Sequence, residues 1–96
     1  MNSIQAAETN SPAEALVNSS RPLVIGHRGY CAVAPENTLA SFKLALAAGA
    51  DLVELDYYHT KDGVPVVIHD GTLDRTTDAI ARWGGSKIPV TGKTAA

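Results

Sequence analysis

The stretch that decides the fold spans residues 23–58 and reads LVIGHRGYCAVAPENTLASFKLALAAGADLVELDYY. It opens with Leu23-Val24-Ile25, a short β-branched run typical of a strand buried on both faces of a parallel sheet. The segment at residues 35–38 reads as a helix start, and Gly49 is placed to end that helix. Residues 51–58 then predict a second strand. The result is a βαβ unit, whose crossover is almost always right-handed and sets the two strands side by side.

The predicted helix has a cap and an apolar stripe. Asn37 or Thr38 can cap its first free N–H groups. The stripe has helical spacing and consists of Leu39, Phe42, Ala45 and Leu46, whereas Ser41 and Lys43 lie off it.

Polar groups collect at the strand ends. The first strand stops at Gly26-His27-Arg28-Gly29, where the glycines let a ligand approach the main chain. On the second strand a period of two puts Glu54 and Asp56 on one face, and Val53, Leu55 and Tyr57 on the face expected to pack under the helix. Two acids inside an apolar strand are costly without a compensating charge, and a cation is the simplest compensation.

The next strand follows the Asp62-Gly63 turn signal and ends at His69. A tight antiparallel hairpin with residue numbers summing to about 125 would set His69 opposite Asp56. A third strand parallel to the second would need an unusually short link. Both arrangements bring His69 to the end of the sheet that carries the carboxylates, and the sequence leaves the choice open.

Composition narrows the classes of function. The 96 residues are 45% hydrophobic and carry a net charge of -2, which provides no basic field for nucleic acid. The single cysteine, Cys31, excludes an internal disulfide and is expected to be a small buried side chain. No apolar run approaches the ~20 residues that span a bilayer, and no export signal is evident, so we expect a cytoplasmic location without a transmembrane segment.

The flanks carry less information. Residues 1–20 are expected to form a flexible tail, with one possible helical turn at residues 13–17. Residues 71–94 are polar and Gly-rich and are expected to be mostly loop, and the last residues look like the start of another helix. One βαβ unit plus a strand cannot cover both faces of its sheet, so the chain is expected to be incomplete.

Several separated motifs resemble, in order and spacing, the N-terminal third of the glycerophosphodiester phosphodiesterases. They are HRGYCAVAPENTLASF, GADLVELDYYHTKDG, PVVIHD and TLDRTT. The resemblance implies an α/β fold, the N-terminal portion of a TIM (β/α)8 barrel of typically ~250 residues with its active site at the C-terminal strand ends. Residues 21–96 would be the N-terminal part of that catalytic barrel.

The resemblance also implies roles for individual residues. His27 and His69 match the acid/base pair, with His27 favoured as base and His69 as acid. Glu54 and Asp56 match two ligands of a divalent cation, Ca²⁺ or Mg²⁺, with a third acid expected beyond Ala96. Arg28 matches the arginine that contacts the substrate phosphate. The implied reaction is metal-dependent hydrolysis of a small-molecule glycerophosphodiester to glycerol 3-phosphate and an alcohol.

The chemistry of these residue types is consistent with that reaction. A phosphodiester resists attack until its charge is neutralised, which a hard cation on oxygen ligands achieves. Histidine exchanges protons near neutral pH, and arginine binds phosphate in a bidentate manner. A neighbouring glycerol hydroxyl is a plausible internal nucleophile, giving a cyclic phosphate that water then opens.

Other interpretations compete with this one. A single strand-end histidine is often only a structural hydrogen-bond partner, and Glu54 with Asp56 could form a buried ion pair with Arg28. The chain alone could be an inactive, poorly folded fragment or a remnant that binds phosphate or metal, and a related phosphodiesterase could act on lysolipids. The remaining polar and aromatic residues are expected to be structural: His59 without a partner in the site, Asp74 and Arg75 within their own loop, Lys61 in solvent, and Trp83 as an apolar plug over the sheet. Glu36 and Asn37 are expected first at the helix start and second as substrate contacts.

Overall fold

The computed structural model describes residues 11–96. Its elements, in chain order, are α1 (Pro12–Val17), β1 (Ile25–His27), α2 (Leu39–Ala47), β2 (Leu52–Glu54), β3 (Tyr57–His59), β4 (Pro65–Val67), α3 (Ala79–Trp83) and a 3₁₀ turn (Val90–Gly92). Strands β1 and β2 form one two-stranded sheet, and strands β3 and β4 form another.

The βαβ unit forms as predicted. Strands β1 and β2 are parallel neighbours, with Ile25 paired to Leu52 and His27 paired to Glu54. The unit therefore brings the first histidine directly beside the first carboxylate.

Helix α2 begins and ends where the sequence indicates. Thr38 is the N-cap and forms a capping box with Ser41, and Gly49 follows the C-cap with φ +98°. The predicted stripe is wrong in part, because Ser41 and Ala45 are the buried residues while Leu39 is 75% exposed. Small side chains let the helix approach the loop after β1, where the Ser41 hydroxyl donates to the Arg28 carbonyl at 3.0 Å. The residues that α2 buries are therefore the small ones that let the helix approach the loop after β1, and not its most hydrophobic ones.

The predicted second strand is two strands. After Glu54 the chain leaves its pairing with β1, which ends at His27, and β3 pairs with β4 in an antiparallel hairpin. Of the two arrangements that the sequence left open, the structure therefore has the antiparallel hairpin and not a third parallel strand. Its register pairs Tyr57 with Val67, so the predicted facing of His69 and Asp56 is wrong by one residue: the Ile68 amide donates to the Asp56 carbonyl at 2.9 Å.

The buried apolar residues are few: Ala45, Ile68, Ala79, Ile88 and Val90. The first strand was expected to be buried on both faces, but Val24 and Ile25 are 60% and 54% exposed. Val53 is half-buried, while Leu55 and Tyr57, which were expected under the helix, are exposed. These side chains stay open because each sheet in the described part of the chain has only two strands.

Several expectations about the flanks change. Helix α1, capped by Ser11, covers the predicted helical turn, and the first ten residues of the expected flexible tail lie outside the described residues. Cys31 is exposed, because its loop lies on the surface. Trp83 is not a plug: its side chain is 56% exposed, with the Lys93 ammonium 4.4 Å from the ring centroid.

The C-terminal region is largely loop, as expected. The Asp74 carboxylate ties it together by accepting from the Ile88 amide at 2.9 Å. Residues 94–96 form no helix. Across residues 11–96, none of the helices has the length and apolar character to traverse a bilayer.

Candidate active site

The parallel register places His27 beside Glu54 at the ends of β1 and β2. The His27 Nε2 atom lies 3.8 Å from Glu54 Oε1. The same oxygen accepts from the Arg28 amide at 3.1 Å, which fixes the carboxylate. The His27 side chain is 66% exposed, so its ring is open to a substrate from the solvent side.

Arg28 has an unusual backbone that its neighbours hold in place. Its φ is +58°, in the left-handed region that non-glycine residues rarely adopt. The Arg28 amide also donates to the Glu54 carbonyl at 2.9 Å, and the Arg28 carbonyl accepts from the Asn37 amide at 2.9 Å. Such a conformation persists where the surroundings over-determine it, as they do here.

The Arg28 guanidinium points back over the strand ends. Nη1 donates to Glu36 Oε2 at 2.8 Å, and Nε lies 3.9 Å from Asp56 Oδ2. Nε is buried and has no hydrogen-bond partner among residues 11–96. His27, Arg28, Glu54 and Asp56 therefore form one group, which we call the strand-end cluster. The alternative of an ion pair between Arg28 and the two carboxylates holds in part: Asp56 is a long-range partner, while the close 2.8 Å ion pair is with Glu36.

Asn37, expected first at the helix start and second as a substrate contact, adds an oxygen to the strand-end cluster. Its Nδ2 donates to Asp56 Oδ2 at 3.4 Å, and its Oδ1 is buried without a partner in the described part of the chain. Two carboxylates with an unpaired amide oxygen beside one of them are the hard donors that Ca²⁺ and Mg²⁺ prefer. Residues 11–96 contain no set of three or more His, Cys, Asp or Glu side chains placed to hold a metal ion.

His69 joins this site through a chain of ion pairs. Its Nδ1 lies 2.8 Å from Asp70 Oδ1. Arg75 donates two hydrogen bonds to the Asp70 carboxylate, from Nε at 2.8 Å and from Nη2 at 3.0 Å. Arg75 Nη1 also donates to Glu36 Oε1. Within residues 11–96 no hydrogen bond or ion pair joins His69 directly to either carboxylate of the strand-end cluster.

Asp70, Arg75 and Glu36 stabilise one another's ionised forms. The Arg75 hydrogen bond is the largest cause that holds the pKa of Asp70 well below its usual range, and His69 adds to it. Arg75 also lowers the pKa of Glu36. The two acids raise the pKa of Arg75 in turn, with Asp70 the larger cause. All three groups stay charged near neutral pH.

Two open cavities lie beside the residues that link His69 to Arg28. One, of about 590 Å³, is lined by His27, Arg28 and the loop at residues 31–36. The other, of about 360 Å³, is lined by residues 35–38 together with His69. Glu36 lines both, so the two histidines flank the same loop.

These features define a class of protein: an α/β protein that gathers histidine, carboxylate and arginine side chains close to the points where its strands end. Residues 27–91 match the model of the glycerophosphoryl diester phosphodiesterase family. The chain belongs to that family, which confirms the resemblance seen in the sequence motifs.

Individual relatives agree with this assignment. Glycerophosphodiester phosphodiesterase 1 of Rattus norvegicus is 45% identical over 80 residues, covering 83% of this chain and 24% of the relative. The glycerophosphodiester phosphodiesterase of Caldanaerobacter subterraneus is 59% identical over 58 residues, covering 60% of this chain and 24% of the relative. The chain thus spans about a quarter of the length of these relatives.

Solved structures agree on the fold. The glycerophosphodiester phosphodiesterase of Agrobacterium tumefaciens superimposes with a TM-score of 0.68 at 44% identity, covering 78% of this chain and 29% of that one. The enzyme of Thermotoga maritima gives a TM-score of 0.66 at 40% identity, covering 81% and 31%. The βαβ unit and hairpin therefore correspond to part of a TIM barrel, as predicted.

Proposed function

We propose that the full-length protein carrying this sequence hydrolyses glycerophosphodiesters to glycerol 3-phosphate and an alcohol. The observation that carries the proposal is the pairing of His27 with Glu54 across β1 and β2, with Arg28 and Asp56 beside them. That register and the adjoining contacts bring an imidazole, a guanidinium and two carboxylates to one sheet end, which supports the proposal.

Glu54 and Asp56 would hold a divalent cation, Ca²⁺ or Mg²⁺. Each carboxylate uses one oxygen in the contacts described above, Oε1 of Glu54 and Oδ2 of Asp56, which leaves its other oxygen for a ligand. When bound, the cation neutralises charge on the phosphodiester.

Arg28 would bind the phosphodiester itself. Its side chain is 20% exposed, and Glu36 holds one arm of its planar fork. The buried Nε has no acceptor within the described residues, and a substrate phosphate oxygen would supply one. Lysine could not reproduce this, because its ammonium lacks the fixed fork.

The histidines would move the protons. His27 removes the proton from the glycerol hydroxyl as that oxygen bonds to phosphorus, and His69 protonates the alcohol oxygen as its bond to phosphorus breaks. A cyclic phosphate results. Water then opens the ring with the roles reversed, because His69 accepts the proton of water and His27 returns a proton to the glycerol oxygen. Each transfer of this kind contributes typically ~10²–10⁴-fold in rate.

A second candidate is the same phosphodiester chemistry on lysolipids. The loop at residues 31–34, which lines the cavity of His27 and Arg28, is Cys-Ala-Val-Ala, and its Val33 is 60% exposed. An apolar lip of this kind suits an acyl chain. The ratio of kcat/KM for lysophosphatidylcholine to that for glycerophosphocholine separates the two candidates, and Val33→Ser lowers that ratio only if the acyl chain contacts the lip.

The experiment that tests the proposal measures glycerol 3-phosphate release from glycerophosphocholine with Mg²⁺ or Ca²⁺ and after chelation. We expect Glu54→Gln and Asp56→Asn to lose at least ~10–100-fold in activity, the range seen when metal sites are perturbed. Asp78→Asn is the matched control, since among residues 11–96 the exposed Asp78 side chain pairs only with Arg82, away from the site. Full activity in chelator, or in both site variants, would refute the proposal.

A further inference from the structure

Arg75 contacts both the partner of His69, which is Asp70, and the partner of Arg28, which is Glu36. It lies on the loop after β4, yet it contacts Asp70, five positions away, and Glu36, 39 positions away. Asp70 in turn contacts His69, and Glu36 contacts Arg28. An uninterrupted chain of side-chain contacts therefore runs from His69, two residues after β4, to Arg28, the residue after β1.

The two hydrogen bonds from Arg75 fix the Asp70 carboxylate, and that carboxylate orients the His69 ring. Two parallel bonds from Nε and Nη2 of Arg75 hold the two carboxylate oxygens at 2.8 and 3.0 Å. An ionised carboxylate is only an acceptor, so the His69 Nδ1 that lies 2.8 Å from it must carry a proton. The other ring nitrogen, Nε2, is then the atom left to exchange a proton with substrate, which is the logic by which a carboxylate orients a histidine base.

The third guanidinium nitrogen of Arg75, Nη1, contacts Glu36, which is the ion-pair partner of Arg28. Nη1 donates to Glu36 Oε1, while Glu36 Oε2 accepts from Arg28 Nη1 at 2.8 Å. The Glu36 side chain is only 16% exposed, so its position is set by these two arginines. Loss of Arg75 would leave Glu36 with one partner and free it to turn toward Arg28 or away from it.

We propose that Arg75 is a positioning residue that sets the His69 tautomer through Asp70 and the Arg28 orientation through Glu36, and so couples the two halves of the site. The activity part of this inference rests on the proposed function; the tautomer part does not. The side-chain contacts of Arg75 within residues 11–96 are with the carboxylates of Asp70 and Glu36, and its side chain is half exposed.

The test uses Arg75→Lys and Arg75→Gln, with Arg82→Gln as the matched control. Arg82 lies seven positions away and, in the described part of the chain, pairs only with Asp78 on the surface. The first readout is the ¹⁵N NMR signature of the His69 ring. We expect Nδ1 to be protonated in the parent and in Arg82→Gln, and a mixture of tautomers in both Arg75 variants. We expect Arg75→Lys not to restore the single His69 tautomer, because lysine cannot form the two parallel bonds to Asp70.

The second readout is kinetic. Loss of an outer partner typically costs 10–100-fold, and we expect that loss in kcat/KM for both Arg75 variants. Asp70→Asn should reproduce mainly the fall in kcat, and Glu36→Gln mainly the rise in KM. An unchanged His69 tautomer in Arg75→Gln, or kinetics equal to those of Arg82→Gln, overturns the proposal. A parent protein inactive on phosphodiesters whose His69 tautomer still depends on Arg75 supports the positioning role and refutes the proposed function alone.

Discussion

Replacement of Gly29 by alanine tests how tightly α2 is pressed against the site. Gly29 has φ +84°, and a Cβ built on it would lie 2.8 Å from both the carbonyl carbon and the Cβ of Ser41. Ser41 cannot yield, because it is fully buried and its hydroxyl holds the Arg28 carbonyl.

Two penalties add in this variant. A left-handed backbone costs an L-residue about 1–2 kcal/mol. Overpacking against an immobile neighbour costs typically about 1–3 kcal/mol more. We therefore expect the free energy of unfolding to fall by about 2–5 kcal/mol in Gly29→Ala.

Gly49→Ala is the matched control. Its φ is +98°, so it carries the same backbone penalty, but an added Cβ meets nothing within 4 Å. We expect a loss of about 1–2 kcal/mol from the backbone alone.

The assay is denaturant unfolding of the full-length protein and of both variants, with the free energy taken from the midpoint and slope. The difference between the variants isolates the contact with Ser41. Equal losses in Gly29→Ala and Gly49→Ala would refute the reasoning, since the clash would then contribute nothing.

Two further predictions concern the edges of the described fold. Arg21, and secondarily the Val24 amide, lower the pKa of Asp51 to about 2, so its contribution to stability is present above the unfolded value of about 3.9 and is lost as the pH falls toward 2. Asp51→Asn should therefore lower the unfolding midpoint at neutral pH, and the deficit should shrink between about pH 4 and pH 2; a constant deficit contradicts the pairing. Cys31 is exposed, so we expect the native protein to react stoichiometrically with a thiol reagent before any denaturant is added, and protection until unfolding would contradict the structure.

Much of the fold could be predicted because local signals and long-range pairing agree. The Thr38 cap and Gly49 mark the ends of helix α2, and a βαβ crossover has only one common hand. The first strand is shifted from its prediction, because β1 begins at Ile25, the last residue of the apolar run, and continues through Gly26 to His27. The βαβ unit predicted His27 near the strand of Glu54 and Asp56, and the register of the structure pairs it with Glu54.

The errors arise where pairing partners change. A continuous second strand was predicted because alternation runs unbroken from Leu52 to Tyr58, but β1 ends at His27 and the chain exchanges one partner for another. The exchange also shifts the hairpin, so Ile68 rather than His69 faces Asp56.

The supporting residues of the site could not be read from local patterns. Ser41 is buried because its hydroxyl reaches the Arg28 carbonyl, which no hydrophobic periodicity records. Glu36 and Arg75 are 39 positions apart, and each was explained by its own segment. The spacing of HRG and of the carboxylates indicated the strand-end cluster, whereas the contacts that orient it depend on tertiary structure.

The central claim is that His27 and His69 act together on a phosphodiester, and glycerol 3-phosphate release from glycerophosphocholine by the full-length protein tests it most directly. We expect His27→Ala and His69→Ala each to lower kcat by ~10²–10⁴-fold. His59→Ala is the control, since His59 is exposed on β3 and its ring stacks edge-on to Tyr57 at 5.7 Å. Activity in the two site variants equal to that of His59→Ala would contradict the account.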